Sequence, residues 1–264
     1  MYGVLANLKV GEGGRAGMGG ATRKSIEATL DLLWAGLGQP RRGPRHQLTV
    51  AGLVEAAMVV AEAEGVEALS MRKVAAHLGV GAATLYTYVP DKAALLALMI
   101  DEMTGQVPLP HSRPGTWREK VEGWVREDLV SLREHPWLTE VTAGPYVGPN
   151  GFAWMDSALR VFDGTGLSRQ EAFSVVMAVD GLVQGHVAKV IAADRAERWT
   201  DPDGRSFATV QESYLATRRI EPGRFHAIEH LGVPPDPVQV FEEALAWLLD
   251  GVEQKIARIQ ADRG

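Results

Sequence analysis

Between Ser70 and Lys92, hydroxyl-bearing and cationic side chains are interspersed with apolar ones. Arg72 and Lys73 fall in the first turn of a predicted helix, where the helix dipole would favour acidic residues instead. Phosphate oxygens are bound by cations, hydroxyl groups and the exposed N–H groups of helix N-termini. The segment is therefore predicted to bind a nucleic-acid backbone. The hydroxyl-bearing residues are Thr84, Tyr86, Thr87 and Tyr88, and Lys92 follows them.

Two short helices joined by a glycine would position these side chains. A helix capped by Ser70 is predicted to end at Gly79, because glycine accepts the positive φ of a reversing turn. Leu85 and Val89 would bury one side of a second helix over Ala82–Val89 and leave its hydroxyl-bearing side outward. An ordinary helix pair in a bundle fits the lengths equally well. The aromatic hydroxyls and the flanking cations favour a helix-turn-helix that enters a major groove.

A second chemistry is offered by His226, Glu229 and His230, whose spacing fits the H-x-x-E-H pattern of some zinc peptidases. Two histidines four residues apart on a helix can share a metal, with the glutamate as base. The predicted helix is short, and no partnered third ligand is evident downstream. A metal-dependent hydrolase is thus the alternative function, and no other catalytic pattern, cofactor or metal site is predicted.

Aromatic and polar residues in the second half of the chain are candidates for an effector pocket. Asp180 and Gln184 lie one turn apart in an apolar helix and would need partners if buried. A mostly apolar cavity with a few polar groups suits a drug-sized ligand, although plain core packing explains each residue singly. The candidates are Trp124, Phe152, Met155, Phe173, Met177, Asp180 and Gln184.

The remaining elements are also helical, so the predicted fold class is all-α. Residues 1–48 are interpreted as a flexible glycine-rich tail, a short helix and a basic linker with Arg41, Arg42, Arg45 and His46. Residues 49–107 form the predicted helix-turn-helix domain, and a proline-rich joint separates it from a larger domain over residues 108–264. Capping boxes are predicted at Thr116 with Glu119 and at Ser168 with Glu171.

Two long helices of the second half carry more apolar surface than one small core needs. Part of it is predicted to pair with a second copy in a four-helix interface, giving a homodimer. The helix over 168–194 carries Phe173, Val176, Met177, Val183, Val187, Val190 and Ile191. The last helix carries Phe241, Leu245, Leu248, Leu249, Val252, Ile256 and Ile259.

Composition narrows the protein class. The 264 residues are 46% hydrophobic and 23% charged, which is ordinary for a globular chain. There is no cysteine, which excludes disulfides and thiolate chemistry. No run of roughly 20 apolar residues appears, so a cytoplasmic protein without a membrane partner is predicted. Residues 1–92 carry 10 Lys and Arg against 8 Asp and Glu, whereas residues 93–264 carry 17 against 25, so only the front half would approach phosphates.

Residues 49–100 closely resemble the DNA-binding domain of the TetR family of bacterial transcriptional repressors. The resemblance is carried by Leu69-Ser-Met-Arg-Lys-Val-Ala75, Leu78-Gly-Val80, Thr84-Leu-Tyr-Thr-Tyr-Val89 and Lys92-Ala-Ala-Leu-Leu96. The second half resembles the family's ligand-binding and dimerising domain more loosely. The resemblance implies a repressor that binds a palindromic operator as a homodimer and is released by a small, largely apolar effector.

The resemblance also implies site residues. Arg72 matches a position from which some relatives reach a guanine, and Lys92 matches a phosphate clamp. Ala82 and Ala83 stand where relatives often carry longer side chains, so apolar contact with a thymine methyl is expected there. The predicted DNA-binding residues are Thr49, Arg72, Lys73, Ala82, Ala83, Thr84, Tyr86, Thr87, Tyr88 and Lys92. A dimeric helical adaptor that binds only proteins is disfavoured by this surface.

Overall fold

The structure, a computed structural model, describes residues 23–35, 48–141, 148–218, 224–230 and 235–262. These residues form helices, and their only β contact is an isolated antiparallel bridge between Thr200 and Ser206. The predicted all-α class is confirmed. The helices are α1 (Arg23–Trp34), α2 (Val50–Glu64), α3 (Met71–His77), α4 (Ala82–Leu85), α5 (Lys92–Gln106), α6 (Trp117–Glu134), α7 (Trp137–Glu140), α8 (Pro149–Arg160), α9 (Arg169–Arg198), α10 (Phe207–Ala216), α11 (His226–Glu229) and α12 (Pro237–Ala261), with a 3-10 turn at Pro110–Ser112.

Side-chain caps start these helices where the sequence predicts them. Thr49 caps α2 by accepting from Gly52 N at 3.0 Å, and Ser70 caps α3 by accepting from Lys73 N at 3.3 Å. The two predicted capping boxes are present: Glu119 accepts from Thr116 N at 2.7 Å, and Glu171 accepts from Ser168 N at 2.9 Å. Each cap satisfies helix N–H groups that have no partner within the helix.

Residue contacts divide the chain into two compact units, Met1–Val176 and Met177–Gly264, with the division inside α9. Within the first unit, α2, α3, α4 and α5 pack together around Leu53, Val74, Leu85 and Leu95, which are all fully buried. In the second unit, Phe241 and Leu249 of α12 are buried. The domain boundary predicted near residue 107 lies inside the first unit and remains a prediction.

One long helix is unusually apolar. Among the described helices, α9 is long and apolar enough, by length and composition, to cross a bilayer. Asp180 and Lys189 interrupt its sequence, so it contains no continuous run of about 20 apolar residues. Only 17% of its most apolar stretch is fully buried within the chain, and most of its large apolar side chains are half-buried.

Several predictions concern residues outside the described ranges. The flexible tail over 1–20 and the basic linker with Arg41, Arg42, Arg45 and His46 belong to this group. The helix predicted over 224–231 is described only as the single turn α11.

Candidate nucleic-acid interface

A tight glycine turn joins α3 to α4. Gly79 has φ of +68°, in the left-handed region that glycine adopts without strain. Val80 N donates to Ala75 O at 3.0 Å and closes the turn. Because α3 packs on both α2 and α4, this turn fixes the angle between α4 and the rest of the domain. The predicted helix-turn-helix is therefore present.

The second helix is shorter than predicted. It ends at Leu85, and residues 86–88 continue as a turn rather than as a helix up to Val89. Thr87 N donates to Thr84 O and Tyr88 N donates to Leu85 O, which is the tighter i to i+3 pattern. Pro90 excludes Val89 from helical geometry, so the helix could not have continued through Val89. Val89 is still buried, as predicted.

The hydroxyl-bearing side of α4 and its turn faces outward. Leu85 is completely buried, which fixes the opposite side of this helix inward. Tyr86 is 55% exposed, which is a large fraction for an aromatic side chain. Exposed residues are Ala83, Thr84, Tyr86 and Thr87, whereas Ala82 and Tyr88 are half-buried.

The three predicted cations have different surroundings. Arg72 is exposed and makes no ion pair with any described residue. Lys73 pairs with Glu64 at 2.5 Å, and the Lys92 ammonium donates to Val66 O at 3.0 Å. Lys73 and Lys92 thus brace the connection between α2 and α3. An exposed ion pair contributes at most about 1 kcal/mol, so phosphate can compete for Lys73.

The N-terminus of α2 is also open to an anion. Thr49 is exposed, and its hydroxyl oxygen already accepts from Gly52 N. The N–H groups of Val50 and Ala51, in the first turn, have no partner within the helix. Thr49 can therefore orient this helix end toward a phosphate without supplying the contact itself.

A buried carboxylate that the sequence analysis missed joins α5 to α8. Asp101 on α5 accepts from Gly151 N at 3.1 Å and Asn150 N at 3.5 Å, and Asn150 Nδ2 donates to Asp101 O at 3.0 Å. Gly148, the N-cap of α8, provides no side chain for this purpose. A Cβ at Gly148 would collide with the Asp101 carboxyl, and one at Gly105 would lie 2.7 Å from Asn150 Nδ2.

Burial shapes the acidity of this carboxyl. Desolvation raises the pKa of Asp101 above its ordinary value of 3.8, while the hydrogen bonds from Gly151 and Asn150 oppose the increase. The α5–α8 joint, defined as Asp101 with residues 148–151, thus connects the last helix of the helix-turn-helix region to α8. The Gly-Pro-Asn-Gly sequence at 148–151 indicates a helix start, but nothing local identifies its acceptor.

The predicted effector residues are distributed over both units. Trp124 and Met155 are buried in the first unit, where Trp124 packs edge-to-face on Trp154 with ring centroids 5.7 Å apart. The sequence analysis had not selected Trp154. Phe152 is 48% exposed and packs on Trp34 of α1. The half-buried candidates are Phe173 in the first unit and Met177, Asp180 and Gln184 in the second.

Two family models match this chain. The model described as "Bacterial regulatory proteins, tetR family" matches residues 53–99, the helices that surround the glycine turn. The model described as "Tetracyclin repressor-like, C-terminal domain" matches residues 109–256. The chain belongs to the TetR family. It is therefore a member of a family of transcriptional regulators, and the resemblance seen in residues 49–100 is confirmed.

Individual TetR-family proteins support the assignment over nearly the whole chain. The HTH-type transcriptional repressor DrrR1 of Streptomyces coeruleorubidus is 37% identical over 258 residues, 93% of each chain. The tetracycline repressor protein class A from transposon 1721 of Escherichia coli is 26% identical, over 77% of this chain and 89% of that protein. The structure of the TetR family protein ActR of Streptomyces coelicolor in complex with actinorhodin has a TM-score of 0.63 and 26% identity, covering 77% of this chain and 94% of ActR.

The hydrolase alternative is not supported. His226 and His230 stack on each other with ring centroids 4.1 Å apart, and His230 Nδ1 lies 2.7 Å from His226 O. Across the described ranges, no three His, Asp or Glu side chains are grouped as a metal would need.

Proposed function

We propose that this protein is a transcriptional repressor of the cytoplasm that binds a palindromic operator as a homodimer and is released by a small molecule. The observation that carries the proposal is that Arg72 on α3 and the hydroxyl groups of α4 are both exposed, on two helices that pack against each other. It occurs in a chain that is 37% identical to a protein named as a transcriptional repressor.

The DNA-binding surface divides into base-reading and phosphate-binding parts. Arg72 is the candidate base reader, because its guanidinium can bind the O6 and N7 atoms of a guanine with two hydrogen bonds. Ala82 and Ala83 would contact thymine methyl groups. Phosphates would be bound by Thr84, Tyr86, Thr87, Tyr88, Lys73 and Lys92, and at the α2 N-terminus capped by Thr49.

A second copy of the chain is the proposed partner of the exposed apolar surfaces on α9 and α12. Most large apolar side chains of α9 are only half-buried within the chain, and Trp247 of α12 is 69% exposed. Large exposed apolar patches of this kind mark interfaces. A twofold dimer would place two copies of α4 on successive half-sites, about 34–36 Å apart or a multiple of that distance. This arrangement requires a palindromic operator.

A planar, largely apolar compound is the proposed effector. Trp124 and Trp154 form a buried aromatic pair in the first unit, where Met155 is also buried, and aromatic side chains stack on flat rings. Two relatives provide precedents: ActR was solved with actinorhodin, and another relative is a tetracycline repressor. The effector must bind more tightly to a conformation that fits the operator poorly. A ligand with equal affinity for both conformations would not change their populations. The α5–α8 joint would transmit this preference to the helix-turn-helix.

Titration with actinorhodin and with tetracycline tests the proposal. At least one compound is expected to quench tryptophan fluorescence and, at the same concentrations, to release the protein from a duplex selected from a random pool. Linkage requires that the bound duplex weaken the compound's affinity by the same factor. Trp154→Phe should reduce the quenching, and Trp199→Phe is the matched control. Quenching without release of the duplex would contradict effector-controlled binding.

A further inference from the structure

We propose that α1 is a clasp that holds the helix-turn-helix region in the orientation needed for operator binding. The clasp consists of residues 23–35 and precedes both segments matched by the family models. It rests on the proposed function, because its effect is expressed through operator affinity. It assigns a role in DNA binding to a helix that contributes no predicted DNA contact.

The clasp is anchored on α5. α1 packs against α5 and has Thr29 and Leu33 buried at 0% and 3% exposure. The Thr29 hydroxyl donates to Ser25 O at 2.9 Å, so burial leaves it satisfied. A helix as short as α1 is marginal on its own in water. Its folded form therefore depends on this contact with α5.

The two ends of α1 contact different elements of the first unit. At its start, Ser25 Oγ donates to Asp91 Oδ2 at 3.1 Å, and Asp91 is the N-cap of α5. At its end, the Trp34 ring packs edge-to-face on Phe152 of α8, with centroids 5.5 Å apart. Phe152 directly follows the residues that bind Asp101.

These end contacts show that α1 runs parallel to α5. Ser25 to Trp34 and Asp91 to Asp101 both span about 13–15 Å at a helical rise of 1.5 Å per residue. The clasp thus extends from the first turn of α5, just after α4, to the α5–α8 joint. Any rotation of α5 against α8 must separate Trp34 from Phe152 or detach α1 from α5.

Exposure distinguishes the clasp from simple coverage of the core. If α1 served only to cover the core, the buried side chain of Leu33 would be enough. Trp34 and Phe152 instead remain 54% and 48% exposed and contribute little to any core. An aromatic pair of this kind is equivalent to about a two- to tenfold change in a conformational equilibrium. Losing it widens the range of orientations open to α4. The apparent affinity for the operator then falls in proportion to the fraction of protein molecules whose α4 is still oriented to fit the operator.

The test uses the full-length protein with Trp34→Ala, Phe152→Ala and the double variant. Operator affinity is measured by fluorescence anisotropy on a duplex selected from a random pool by the wild-type protein. Each single variant is expected to bind two- to tenfold more weakly, and the double variant no more weakly than the worse single one, because both remove one interaction. Hydrogen exchange at the first turn of α8 should accelerate in all three variants.

Trp199→Ala is the matched control, because Trp199 is an exposed tryptophan in a similar edge-to-face pair with Phe207. It should leave operator affinity unchanged. The clasp is overturned by unchanged or tighter operator binding in the Trp34 and Phe152 variants, by additive losses, or by an equal loss in the control. A wild-type protein that selects no duplex would instead overturn the proposed function, and the clasp with it.

Discussion

Arg72→Ala is expected to weaken operator binding by about 1–3 kcal/mol per half-site and to relax the preference for one guanine. Arg72 is exposed and makes no ion pair with a described residue, so its guanidinium can reach a base edge without first breaking an internal contact. No Lys, Arg, Asn or Gln lies between Val80 and Val89. Most hydrogen-bond discrimination between bases would therefore depend on Arg72.

The measurement compares wild type and variant on the selected duplex and on duplexes with each base of the half-site replaced in turn. Lys73→Ala is the matched control, because the neighbouring Lys73 pairs with Glu64. Loss of a phosphate contact should weaken binding to all duplexes about equally and reduce the salt dependence. If Arg72→Ala shows that same uniform loss with its base preference unchanged, the assignment of Arg72 to a guanine is wrong.

Asp101→Ala is expected to lower the free energy of unfolding by about 1–3 kcal/mol, because it leaves buried N–H donors at the start of α8 without an acceptor. Asp101 is 8% exposed, so water cannot fully replace the carboxylate. The variant should also weaken the response of DNA binding to the effector, since the α5–α8 joint is broken. Urea unfolding measures the first effect, and effector titration of the bound duplex measures the second.

Asp101→Asn is the matched control, because an amide oxygen still accepts from Gly151 N. The folded protein holds the Asp101 proton more tightly than the unfolded chain does, since burial raises the pKa from 3.8. The contribution of Asp101 to the free energy of unfolding therefore falls as pH rises from 3.8 through the folded pKa. The difference between wild type and Asp101→Asn should decline over that interval and then level off. A stability difference that grows with pH, or an Asp101→Ala protein as stable as wild type, would contradict the stabilising role given to Asp101 in the α5–α8 joint.

Local features of the DNA-binding region could be predicted from the sequence. Helix caps at Thr49 and Ser70 depend on residues only two or three positions away. The turn at Gly79 depends on a backbone conformation that few other residues accept. The outward side of α4 followed from the spacing of Leu85 and Val89, although the end of this helix at Leu85 was not anticipated.

Contacts between distant elements could not be predicted. The Lys73 pair with Glu64, the capping of α8 by Asp101 and the edge-to-face packing of Phe152 on Trp34 all depend on how helices pack. Sequence periodicity gives the face on which a residue lies but not the side chain that meets it. Phe152 illustrates the consequence: selected for a pocket, it packs at the surface on a helix that precedes the DNA-binding domain.

Selection of bound duplexes from a random pool by the wild-type protein tests the central claim most directly. The account predicts a palindromic consensus whose half-sites are centred about one helical turn, or a multiple of it, apart. Each half-site should contain a guanine whose preference disappears with Arg72→Ala. Failure to enrich any sequence, or enrichment of a single half-site without twofold symmetry, would contradict a dimer that reads DNA through α4 and Arg72.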